Sequence, residues 1–102
     1  MNPYEEEVHR DLGLLLSQAA WATDMQVLFE WGFRDSLHVW VLSTAFEGLD
    51  QHVRSQMMWA IVRQIPPITA LRITVLFTLT PNEFEEQFSE RAARLEAIEK
   101  AA

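Results

Sequence analysis

His52, Gln56, Trp59 and Arg63 recur at intervals that stack side chains on one side of a helix. A tryptophan flanked by an arginine and a histidine has the composition of a protein-contact anchor. The competing assignment makes Trp59 a lid over the border of the core, where apolar residues are common. Metal chemistry has less to build on. His9, His38 and His52 come from separate segments without the short spacings of ligand sets, and cysteine is absent. Ser43 and Ser55 stand without a visible base, and neither paired carboxylates nor a glycine-rich phosphate loop accompanies them. The chain is therefore read as a non-enzyme, with no catalytic and no metal residues.

These side chains must be positioned by a small number of elements. Asn2 is the expected N-cap of a first helix over residues 3–20, with Pro3 at its first position and Glu5 completing the box. Val8, Leu12, Leu15, Leu16, Ala19 and Ala20 form its apolar face. Met25, Val27, Phe29, Trp31 and Phe33 then alternate with other residues, as in a half-buried strand. A turn near Arg34 and Asp35 leads to a second strand with Leu37, Val39 and Val41 on one face, giving an antiparallel hairpin. Gly48 turns the chain and Asp50 caps a helix running to about Gln64, which Pro66 and Pro67 end. A third strand carries Leu71, Ile73, Val75, Phe77 and Leu79 inward. Thr80, Pro81 and Glu83 form a capping box for a last helix over 81–100, with a stripe of Phe84, Phe88, Ala92 and Leu95.

The expected fold is α/β (α+β): one domain over residues 1–102, in the order α-β-β-α-β-α. It is a two-layer sandwich, with a three-stranded mixed sheet and helices on one face. The helix between strands two and three makes those strands parallel. On this scheme Leu28, Trp40, Leu42 and Leu76 face away from the helices beside His38 and Arg72. That face is either a contact surface, including a homodimer, or a floor for the last helix.

The net charge of −7 is concentrated in acidic residues at both ends, while the middle is close to neutral. With a single lysine, Lys100, the chain lacks the clustered cations that release counterions from phosphates. The acidic start is unlike a leader peptide and the apolar runs are short for a bilayer, so a cytoplasmic location without membrane contact is expected.

The run "HVWVLSTAFEGLDQHVRSQMMW", followed by "LRITVLFTLTPNEFEE", resembles the BolA family of small regulatory proteins over about residues 25–88. Ser43, Phe46, Gly48, Arg54, Thr78, Thr80, Pro81 and Glu83 match its pattern, while Met58, Trp59 and Phe84 replace its Val, Tyr and Trp. The resemblance implies a KH-like type II fold, a monothiol glutaredoxin-type partner, a shared iron–sulfur cluster, and roles in iron–sulfur homeostasis and stress response. Ser55 and Arg72 stand where the family places histidines, and the hairpin turn "GFRDS" carries no His or Cys. A guanidinium has no lone pair to give iron, so family-style ligation is expected to be lost. The residues after Gly48 lack the second glycine of a GxxG loop, and Asp50 would repel phosphate.

The expected function is accordingly that of an adaptor without a cofactor of its own. Its partner-binding residues are Trp59, Arg63, His52, Gln56, Trp40 and Arg72. The alternative is a nucleic-acid-binding regulator using a strip of Arg54, Arg63, Arg72 and Arg34. A third reading keeps a partner-shared iron–sulfur cluster through His38 or His52.

Overall fold

The computed structural model describes residues 3–19 and 21–98. The expected cap Asn2, the helix-face residue Ala20 and the lone lysine Lys100 lie outside the described residues. Helix α1 (Pro3–Gln18) is followed by strand β1 (Gln26–Trp31), strand β2 (Leu37–Leu42), helix α2 (Gln51–Val62) and helix α3 (Pro67–Ala70). Strand β3 (Ile73–Leu79), helix α4 (Pro81–Phe88) and strand β4 (Glu96–Ile98) complete the order. The sheet is mixed and four-stranded, in the order β3-β2-β1-β4. Strand β1 pairs antiparallel with β2 and β4, while β2 and β3 run parallel across the α2 connection.

The main core lies between the sheet and helices α1 and α2. Val8, Leu12 and Leu15 from α1 meet Val27, Phe29, Val39 and Val41 from the sheet and Met58, Ile61 and Val62 from α2. Local signals set these elements where the sequence places them. Asp50 accepts a hydrogen bond from Val53 N at 2.9 Å, Gly48 takes φ +77°, and the Thr80–Glu83 capping box closes reciprocally. Helix α3 was not anticipated. Pro67 occupies its first turn, so the prolines that stop α2 also start the next helical turn.

Three expectations are corrected. The last helix stops at Phe88, continues as a 3-10 segment over Ser89–Arg94 and becomes β4. A helix to residue 100 would hold Leu95 and Ile98 on one side and leave the β1 edge unpaired. The strand instead gives β1 a ladder, sends Ile98 into the main core and leaves Leu95 on the opposite side. Helices also cover both faces of the sheet, because α4 packs with Trp40, Leu42 and Leu79 on the side away from α1 and α2. Finally, β3 does not alternate strictly. Leu37 pairs with Ile73 but His38 with Val75, so Thr74 is an inserted residue that reverses the phase. Leu76 therefore packs on the main core, Phe77 and Leu79 on the α4 side, and Leu71 is 83% exposed before the strand begins.

Candidate interaction surface

The stripe on α2 survives as a surface. His52, Ser55, Gln56, Trp59 and Arg63 together line an open groove of about 410 Å³. Trp59 is half-buried, one side against the main core and the other in the groove, so it is both lid and floor. His52, Gln56 and Arg63 are exposed, and among the described residues their side chains form no ion pair or hydrogen bond. The groove exists because α2 turns Met58, Ile61 and Val62 inward, leaving this stripe facing solvent.

Trp40 is not an exposed anchor. It is fully buried, stacked on Phe77 at 5.2 Å and edge-on to Phe88 at 5.7 Å, with Phe84 of α4 in the same cluster. The face expected to serve a partner or a second copy is the second core of the molecule. Trp40 Nε1 has no hydrogen-bond partner among the described residues, an exception to the usual pairing of a buried indole N–H.

Arg54 is likewise internal, which breaks the expected arginine strip. Its Nη1 donates to Glu83 Oε1 at 2.6 Å and to Thr78 O at 3.3 Å, and its Nε donates to Leu49 O at 2.9 Å. Its guanidinium carbon lies 5.9 Å from the Phe46 ring centre. Gln51 exchanges contacts with Thr78, and Glu83 accepts from Thr80 N. The Arg54 hydrogen bond holds the Glu83 carboxyl below its ordinary range, with the Thr80 backbone N–H adding to the effect. Ser43, also buried, donates to Asp24 Oδ1 at 2.8 Å, and Thr44 N donates to Asp24 Oδ2 at 2.9 Å. Most residues that carry the resemblance are thus caps, turns and struts joining α2, β3 and α4. Ser43 has a carboxylate beside it, and its Oγ accepts from Ala45 N, the arrangement of a cap.

A second exposed surface, missed in the sequence, lies at the pole formed by the hairpin turn and the start of β3. Arg34 (φ 56°) and Asp35 (φ 60°) are both left-handed, and Ser36 N bonds Phe33 O. This two-residue turn matches the twist of the flanking strands without the usual Asn-Gly. Phe33, expected at the end of a buried strand face, sits in this turn and is 82% exposed under the Arg34 guanidinium. Leu37 N bonds Arg72 O at 2.7 Å and Arg72 Nη1 donates to Asp35 O at 3.5 Å, which ties the turn to the β3 start. Ile68 and Leu71 are exposed next to this junction. The physical reason is the single turn of α3, which points Thr69 inward to donate to buried Asp11 at 2.6 Å and leaves Ile68 outside; with α3 itself not anticipated, no sequence signal marked this surface.

The histidines occupy separate places. His9 lies 3.1 Å from Glu96, His38 lies 3.6 Å from Glu30, and His52 lies in the groove. Glu30 also accepts from Arg91 at 2.9 Å. Among the described residues no three His, Asp or Glu side chains converge as a metal cage. No helix among them is long and apolar enough to cross a membrane. Comparison with protein-family models, with curated proteins and with solved structures returned no match.

Proposed function

We propose that this chain is a non-enzymatic, BolA-like adaptor that presents the α2 groove to a protein partner, of which a monothiol glutaredoxin is the first to test. One observation carries the reading: Trp59, Gln56, His52 and Arg63 share an open groove and direct unengaged polar groups outward. Interface anchors have this make-up, an aromatic platform with an arginine at its margin. Of the positions where the resemblance implies cluster ligands, the turn and Arg72 adjoin each other and hold a guanidinium against a carbonyl, while Ser55 lies in the α2 groove. Arg72 offers only donors, so these residues do not fit an iron–sulfur cluster, and the proposed role is contact without family-style ligation.

Titration calorimetry with a monothiol glutaredoxin tests the reading. Trp59→Ala is expected to weaken binding by at least 2 kcal/mol, on the order of a hot-spot loss, and Arg63→Glu by less. Binding unchanged in both variants would remove the groove from the reading. Anaerobic reconstitution of the pair should give the absorbance spectrum of the glutaredoxin alone.

A further inference from the structure

We infer that the α2 groove takes a short acidic peptide segment, with a carboxylate on Arg63 and an apolar side chain on Trp59; this rests on the contact reading above. Charge makes the selection. The lining holds one permanent cation, Arg63, and no carboxylate, although the whole chain carries a net charge of −7. The groove is therefore a place where an acidic segment meets attraction on an otherwise acidic molecule. Donor balance points the same way. Arg63 and the Trp59 indole can only donate, while Gln56, His52 and Ser55 each supply both a donor and an acceptor, so the lining has donors in excess. None of these side chains forms a hydrogen bond or ion pair among the described residues, whereas Arg54, buried on the same helix, is engaged with three acceptors. A carboxylate supplies acceptors in the geometry a guanidinium favours. A polyphosphate backbone is a poorer fit, because a single exposed arginine releases few counterions. From His52 to Arg63 the stripe rises about 16 Å, the length of about five extended residues.

The test uses the full-length protein and a five-residue peptide, capped at both ends, with glutamates flanking one phenylalanine. Versions with glutamine or lysine in place of glutamate accompany it. Binding is read from the indole N–H resonance of Trp59, assigned through Trp59→Phe. The glutamate peptide is expected to shift that resonance, the glutamine version to bind roughly two- to five-fold more weakly, and the lysine version more weakly still. Arg63→Glu, which puts a carboxylate at the exposed C-terminal end of α2 and should lower the melting temperature by only a few degrees, is expected to weaken the glutamate peptide by a similar factor, and Arg63→Lys to restore most of it. Equal affinity for the glutamate and glutamine peptides, or indifference to Arg63→Glu, overturns the inference. Glutaredoxin binding that needs Trp59 but ignores the charge at 63 overturns it while leaving the adaptor reading intact. Selective glutamate-peptide binding without any glutaredoxin binding supports it and removes that partner.

Discussion

Arg54 directs its guanidinium to Glu83, Thr78 and Leu49, and so fastens α2, the end of β3 and the start of α4 with one side chain. Removing it takes the guanidinium from the Leu49 carbonyl and leaves Thr78 O with only the long Gln51 contact and the Glu83 carboxylate with only the Thr80 N–H. Arg54→Ala is expected to cost about 2–3 kcal/mol in urea unfolding, the range for charged hydrogen bonds, with no new exposed charge to attract nucleic acid. The acid side of the stability profile rests on Glu83 of this network and on Asp24, held separately by Ser43 and Thr44. Two backbone and side-chain hydrogen bonds from Thr44, then one from Ser43, lower Asp24 from its ordinary 3.8 to about 2. Glu83 is lowered through Arg54 and Thr80. A carboxylate whose folded value is depressed stabilises the fold above its unfolded value and loses that contribution as pH falls through the folded one. Unfolding midpoints should therefore hold above the ordinary carboxylate range and fall between about pH 4 and pH 2, and Asp24→Asn should flatten part of that fall. The cap at Asp50 and the box at Thr80 were legible because each signal and its target are three residues apart. Trp40 was not, since its burial depends on where α4 docks, which no local pattern encodes.

At the scale of elements, the residues that departed from expectation are those where long-range pairing outweighs local periodicity. The heptapeptide of β3 reads as a strictly alternating strand, yet the insertion at Thr74 hands Leu76 to one core and Phe77 to the other. The stretch after Phe88 has good helix formers, but an open β1 edge offers backbone partners that a helix would leave unmet. Ile98 is the side chain that makes β4 stay, being buried in the main core. Ile98→Asp should detach the strand and raise amide exchange at Val27 and Phe29 before it affects α2, as measured by exchange mass spectrometry. The hairpin turn is the converse case, where local preference lost to geometry. Arg34 and Asp35 occupy a left-handed region that costs non-glycine residues of order 1 kcal/mol each. Replacing the pair with Asn-Gly should stabilise the protein by about 1 kcal/mol, seen as a higher melting temperature.

For the molecule as a whole, two cores on opposite faces of one thin sheet leave little room for an internal cavity and place contact chemistry on the outside. Both edges of the sheet are blunted: β4 is short, while β3 carries an insertion near its start and has its Thr78 carbonyl occupied by Arg54 and Gln51. The α2 groove and the Phe33–Leu71 pole are two of the exposed features with apolar and cationic groups together; a third, at the end of α4, sets Phe77 and Phe88 beside Arg91 and Arg94 but also holds Glu86 and Glu90. The charge layout bears on the choice between a protein and a nucleic acid. Of the four arginines in the middle of the chain, Arg54 is neutralised by Glu83 and Arg72 is part-buried with a contact to the turn, so Arg34 and Arg63 remain fully outward. A protein that binds phosphates through counterion release needs several such contacts, and affinity falls steeply with salt in proportion to their number. Fluorescence anisotropy with a labelled duplex or single strand should show no complex even at low salt. A salt-sensitive complex abolished by Arg63→Glu together with Arg34→Glu would instead mean that the two outward arginines, with the aromatic beside each, form a nucleic-acid platform, and the groove would have to be reassigned from carboxylates to phosphates.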